Sequence, residues 1–488
     1  MTTEPVGTVS EKGVAGIPQA KEGLQNPRLQ QIGGILAIVI PAIIWFSPLG
    51  LEPQIQKVAA ITVFMLIAWM TEVLDPALVG LIGCYLFWAL GVVRFDMAFS
   101  GFANDTPWFV MAALFIGAMA TKSGLGRRLA YSMMSLAGKS YSQILLWLIV
   151  TDFLMTLIVP SAIARIVIML AAAIGLADAL GMGRGTNVGK GMFLVITYTA
   201  TIFDKMIIAG AAAITARGLI ERFGEVQVLW SYWLAAYFPC VIITILVAWR
   251  LTLWFYPPEK QILSGGSEFF RQELARMGPW TSMEKRCLAL ILIGLGLWLT
   301  DFLHHQSPSL VGIAVGLAAT LPGLRLLTIE DIKKVNYLPV FFVAAAISMA
   351  NVLVSTKTLD LLTNVIFAWM TPLIQGVYSA SLVLYWTAFA YHFFLASEIS
   401  MLSTSIPLLM DFAHTHGFNP LALGMIWTFA AGGKLFLYQS VILIIGHSYG
   451  YFTSRDLLRM GLAITIVESV VLLLLVPLYW PLIGISLR

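Results

Sequence analysis

The chain has 488 residues, of which 59% are hydrophobic and only 11% charged, and its mean hydropathy is +0.87. A water-soluble domain covers itself with about 25% charged residues, so this composition excludes one and points to an all-α polytopic membrane protein in contact with a lipid bilayer. The net charge of +4 is scattered, which argues against a nucleic-acid partner, and Cys84, Cys240 and Cys287 form neither a disulfide framework nor a metal motif.

Residues 1–30 are polar and rich in Gly and Pro, and read as a flexible tail without the apolar core of a signal peptide. Apolar runs of spanning length follow at about 32–49, 57–74 and 77–93. The run 107–122 ends at Lys122-Ser123-Gly124, 141–159 is uninterrupted, 161–182 carries Arg165, and 191–222 contains Asp204, Lys205 and Arg217. After 229–254 comes the one long polar connection, 257–286, in which "FFRQELARM" has the spacing of a short amphipathic helix on the membrane surface; a solvated linker is the competing reading. Further runs are 286–303, 308–324, 338–356, 381–396, 397–412 (opened by Ser397-Glu398), 421–445 and 460–485, the last two read as plain spans. Broken elements survive in lipid only where protein or a water-filled cavity satisfies their freed backbone groups, so the interrupted runs belong inside the bundle.

The two halves repeat each other. "TPWFVMAALFIGA" from Thr106 and "LPVFFVAAAISMA" from Leu338 match at an offset of 232, Gly191-Met192 and Gly424-Met425 at 233, and "PSAIAR" and "ASEISM" at 236. Paired interrupted helices in two repeats are the signature of a secondary transporter with its site at the membrane midplane. The expected organisation is a first transmembrane repeat over 31–256, a linker over 257–285 and a second repeat over 286–488.

The oddest stretch is "LIVPSAIARIVIML", 157–170. Pro160 should break the helix and free Ser161 to cap a new one from about Ala162, whose N-terminal N–H groups suit an anion. Arg165 lies on the same face as Ser161. At that depth a guanidinium costs about 2.5–3.5 kcal/mol on insertion scales unless it meets a partner, and two roles are open to it: contact with an anionic substrate, or an ion pair with Asp152 or Glu398. Glu398, in the first turn of the matching half-helix, either carries a coupling proton or neutralises Arg165. Downstream, Gly210 allows close approach of backbone to a coupling ion or a neighbouring helix, and Gln439 and Ser440 supply neutral donors and acceptors to a substrate. Asp204 and Lys205 read as paired or snorkelling structural charges, and His392 as a polar contact or a proton relay. No nucleophile elbow, phosphate-cradling loop or catalytic carboxylate pair is present, so nothing calls for an enzyme, a cofactor or a metal.

Four stretches resemble the divalent anion/sodium symporter family, in its dicarboxylate, citrate and 2-oxoglutarate/malate branch: "WMTEVLDPALVGLIG", "AFSGFANDTPWFVMAALFIGAMATKSGLGRRLA", "PSAIAR" and "GYFTSRDLLRMG". The resemblance implies two inverted-topology repeats, each with a re-entrant hairpin and a broken helix, about 11 spans plus two hairpins, a homodimer and elevator motion. It would place 107–122 and 339–356 in parts of the hairpins. The family's Ser-Asn-Thr signature meets substrate carboxylates and frames sodium sites; here it reads Ser161-Ala162-Ile163 and Ser397-Glu398-Ile399. Both serines stay and both threonines become isoleucine, so the site should be less polar and should reject substrates built for the lost donors. The resulting expectation is a secondary active transporter of a small organic anion (a di- or monocarboxylate or a sulfonate) in the cell or inner membrane. It would work by alternating access, coupled to sodium or protons or run as an exchanger. A cation/proton antiporter or metalloid-oxyanion carrier is the alternative.

Overall fold

The computed structural model describes residues 27–488 except 264 and 396, with side chains from Gln30 onward. The expected tail therefore lies almost wholly outside the described residues. Among the described residues there is no β-strand, only an isolated bridge between Ser140 and Ile262.

Helix starts follow the local chemistry. Pro76, Pro308 and Pro420 occupy first turns, where a missing N–H costs nothing, and Asp75, Ser307 and Asn419 cap the N–H groups behind them. Among the described residues, seven helices are long and apolar enough to cross a membrane, from Pro53–Thr71 to Ser454–Ile483. An eighth span results if Asp105–Lys122 and Leu125–Met134, bent by 68° at Ser123-Gly124, count as one. Pro76–Ala89, Pro308–Ala318 and Pro420–Ala430 are apolar but shorter. Large side chains such as Ile38, Phe46, Trp254 and Leu482 stand exposed on the outside, as a lipid-facing surface requires.

The halves interlock. Helix Pro76–Ala89 lies on Leu338–Ser355, where a Cβ on Gly80 would come within 2.6 Å of the Ala345 methyl. Asp105–Lys122 lies on Pro308–Ala318, with Gly316 beside the Ala112 backbone, and Gly210–Gly224 lies on Glu398–His416. Without a hydrophobic drive between helices in lipid, such small-residue contacts let backbones approach and dispersion hold them. At the centre, Asn187–Met206 is buried along nearly its whole length.

Two expectations change. "FFRQELARM" is helical, Gly266–Met277, but it docks on protein: Phe270 is buried and Phe269 lies against Gly175. Arg128 fixes its end by donating to the Met277, Gly278 and Pro279 carbonyls while pairing with Glu284 at 2.6 Å. The run 421–445 is not one span. Pro420–Ala430 stops at Gly432-Gly433, a 3-10 turn covers Leu437–Gln439, and Val441–Ser448 begins anew. The two glycines, together with a buried Lys434 that no lipid-facing helix would carry, account for the break.

Candidate anion site where four helix breaks meet

Two breaks from each half converge. Tyr141–Ile158 ends before Pro160, and Ala162–Ala179 starts with Ser161 as N-cap, its Oγ accepting from Ala164 N at 3.4 Å. Ser397 caps Glu398–His416 in the same way, accepting from Ser400 N at 3.4 Å. The third break, 207–209, separates Asn187–Met206 from Gly210–Gly224, and the fourth is 431–440. Gly210 sits at φ +79°, where a Cβ would stand 2.9 Å from Asp204 Oδ2 and 3.7 Å from the Pro160 carbonyl, so the first and third breaks touch. Lys205 Nζ meets Glu398 Oε1 at 2.5 Å, joining the third break to the second half. Lys434 Nζ lies 3.4 Å from the same oxygen, which brings in the fourth.

The charges form two groups. Arg165 is fully buried: Nε donates to Asp152 Oδ1 and Nη2 to Asp204 Oδ1, each at 2.9 Å, and Nη2 also reaches the Ala200 carbonyl at 2.7 Å. The guanidinium thus ties the first half-helix to both neighbouring helices; only Nη1 is left without a partner. Glu398, by contrast, sits between two cations. Lys205 also donates to the Thr201 carbonyl at 2.9 Å, whereas among the described residues Lys434 has only Glu398. The Glu398 side chain keeps 13% of its exposure, whereas Lys205 keeps 2% and Lys434 none.

The other expected residues are spread around this point. Ala162 is buried, while Ile163 remains 52% exposed and Ile399 partly so, giving the apolar flank of the half-helix tips. Gln439 Oε1 accepts from Leu435 N (2.7 Å) and Phe436 N (2.9 Å), so its carbonyl is spent on folding the 431–440 loop. Ser440 Oγ accepts from Ile442 N at 3.3 Å as the cap of Val441–Ser448. At the Gly210 break, Trp233 donates to the Lys205 carbonyl (2.9 Å), Trp230 to that of Ile208 (3.3 Å), and Ala209 N to that of Ile207 (2.7 Å). Each of these three backbone oxygens thus already accepts one hydrogen bond.

Sequence reasoning missed Lys434 and undervalued Lys205. The signal for Lys434 was available: a lone lysine in the middle of an apolar run is a functional candidate by default. Lys205 and Asp204 read as structural charges paired with other residues, and they do pair elsewhere, because adjacent residues on a helix face different ways. Asp204 turns to Arg165 and Lys205 turns to Glu398.

Chemically, two buried ammonium groups meet at the first turn of the half-helix that Ser397 caps, and the chain supplies its own carboxylate, Glu398, to neutralise them. Breaking such a contact without replacement costs about 3–5 kcal/mol, whereas a carboxylate brought in from outside replaces it.

The pattern of the sodium:sulfate symporter transmembrane region matches residues 30–486. A membrane protein of Cupriavidus necator is 26% identical over 94% of this chain and 94% of its own length. The chloroplastic dicarboxylate transporter 1 of Spinacia oleracea is 24% identical over 92% of this chain and 81% of its own. The citrate/succinate antiporter of Escherichia coli strain K12 is 22% identical over 92% and 96%.

Proposed function

The chain belongs to the sodium:sulfate symporter family, and from that membership and the site we propose that it is a secondary transporter of small organic anions carrying at least one carboxylate. Relatives named for dicarboxylates and for citrate and succinate support this substrate class. The observation that carries the reading is Glu398 held between Lys205 and Lys434 at the meeting of four helix breaks. Glu398 acts as a resident anion. A substrate carboxylate takes over the lysines and the free N–H groups at the half-helix tips, and Ile163 and Ile399 contact its apolar part. Release of Glu398 is the local charge change that biases the two halves between outward and inward states, because a ligand shifts such an equilibrium only through unequal affinity for its two ends. The same exchange of one carboxylate for another suits antiport of two organic anions.

The test is counterflow. Purified protein in liposomes loaded with unlabelled succinate should accumulate labelled succinate, and external malate should compete. Accumulation no greater than in protein-free liposomes, for succinate, malate and citrate alike, would overturn the reading.

A further inference from the structure

Glu468, on helix Ser454–Leu474, is buried, and neither of its carboxyl oxygens has a hydrogen-bond partner. A carboxylate left in that condition inside a membrane protein is among the costliest arrangements available to a side chain, and the group escapes the cost by holding a proton. Its surroundings tie it to the anion site. Gly461, Thr465 and Glu468 are spaced i, i+4, i+7 and form one face of their helix. The 431–434 loop lies on that face: a Cβ on Gly461 would collide with the Lys434 carbonyl, and one on Gly433 would stand 3.0 Å from Thr465 Oγ1. Thr465 Oγ1 is itself buried and without a partner.

A second helix grips the same loop. Tyr385, Phe389 and His392 repeat the i, i+4, i+7 spacing on Val377–Phe394; Tyr385 donates to the Thr465 carbonyl at 3.0 Å, and Phe389 stands 3.0 Å from the Cβ position of Gly433. His392 is fully buried, and neither ring nitrogen makes a hydrogen bond of normal geometry, the Gly433 backbone being a looser polar neighbour. The titratable groups acting on Glu468 come from every packed element: Lys434 from the loop, Lys205 from Asn187–Met206, Tyr385 from Val377–Phe394 and Cys240 from Trp230–Phe255. His392 in turn responds to Lys434, Glu398 and Lys205.

Charge balance gives the unpaired carboxyl a role. Within the cluster at the helix breaks, Asp152, Asp204 and Glu398 are matched by Arg165, Lys205 and Lys434, so the cluster with Glu468 added is neutral only while Glu468 is protonated. When an incoming anion takes the lysines or leaves them, the potential that Lys434 and Lys205 set at Glu468 shifts. We propose that Glu468 is a proton-binding site of the transport cycle, taking up and releasing one proton as Lys434 changes partners, with His392 lining its path to the Glu398 side. The proton simply adds to or leaves the carboxyl oxygen, with solvent water as its source and sink. A sodium ion fits poorly there: among the described residues the one other orphaned oxygen on that helix face is Thr465 Oγ1, and two lysines oppose a further cation. The inference rests on the transport reading above for its coupling, but not for the site itself.

Two measurements decide it. Infrared titration of the reconstituted full chain should show a buried protonated carboxyl band that disappears as pH rises, absent from Glu468→Gln and kept, displaced, in Glu468→Asp. No such band, or an unchanged band in Glu468→Gln, overturns the site whether or not any anion is transported. In liposomes, a pH gradient, inside alkaline, should raise the initial rate of succinate uptake several-fold in the wild type. Glu468→Gln should lose that response while keeping succinate counterflow at symmetric pH. Full gradient-driven uptake by Glu468→Gln, or uptake that answers only to a sodium gradient, overturns proton coupling. A wild type that moves no succinate refutes the transport reading instead, and leaves the infrared titration to judge the site.

Discussion

Arg165→Gln separates a clamp from a substrate contact. In the wild type the guanidinium meets Asp152 and Asp204 at 2.9 Å each, with no exposed surface. Opposite charges about 4 Å apart attract by about 4 kcal/mol at an effective dielectric near 20, and the desolvation of each ion offsets much of that. Removing the arginine nevertheless leaves two buried carboxylates facing each other, and losing one partner of a buried pair costs about 3–5 kcal/mol. Against a net stability of about 5–15 kcal/mol typical of folded domains, that is a large fraction. Arg165→Gln should therefore lose monodispersity on heating well below the wild type, followed by fluorescence-detected size exclusion. Arg165→Gln combined with Asp152→Asn and Asp204→Asn should recover much of the loss, because no charge is then left unpaired. The fraction that stays folded should still be stabilised by succinate. If Arg165→Gln melts like the wild type and succinate no longer stabilises it, the guanidinium serves the substrate and the clamp argument is wrong.

Lys434→Gln and Lys205→Gln should each abolish the succinate-induced rise in melting temperature; at 100 times the dissociation constant that stabilisation is about 2.7 kcal/mol in the wild type, so its loss is measurable by the same assay. Gly210→Ala forces a Cβ into a left-handed conformation that costs about 1–2 kcal/mol, 2.9 Å from Asp204 Oδ2, and should slow counterflow more than it lowers expression. Gly461→Ala pushes on the Lys434 carbonyl and should weaken succinate binding although residue 461 touches no substrate; unchanged affinity would show that the 431–434 loop has slack. On the surface, hydrogen bonds from Lys122 at 2.6 Å and from Thr328 hold the Asp331 carboxyl down at about 2. A carboxyl lowered in the folded state stabilises it above the ordinary range near 3.9, and that contribution is lost as pH falls towards 2. Asp331→Asn should therefore be less stable than the wild type at neutral pH, and the difference should shrink on acidification between about pH 4 and 2.

Much of the architecture was legible because membrane physics leaves marks in one dimension. Pro160-Ser161 and Ser397 announce helix breaks by local rules, and the structure places N-caps at both serines. Asp152 was readable as one partner of Arg165, being one of few acids at spanning depth. The fourth break was legible only in part: the stretch from Leu437 reads as irregular, and the structure breaks there, but Gly432-Gly433 reads equally well as a helix contact and left 421–445 looking like one span. Nor could spacing show which charges meet, since Lys205 and Glu398 lie 193 positions apart (398 − 205) in interlocked halves. Glu468 passed unnoticed because one acid does not disqualify a span such as 460–485; only its missing partners set it apart.

The most direct test of the resident anion is calorimetric titration of succinate into wild type and Glu398→Gln. Removing the internal competitor leaves two buried lysines unpaired, and binding then relieves that cost. Glu398→Gln should bind succinate at least about tenfold more tightly, a difference of about 1.4 kcal/mol, while exchanging it more slowly. Equal or weaker binding by a folded Glu398→Gln would contradict the assignment of Lys205, Glu398 and Lys434 as the anion site.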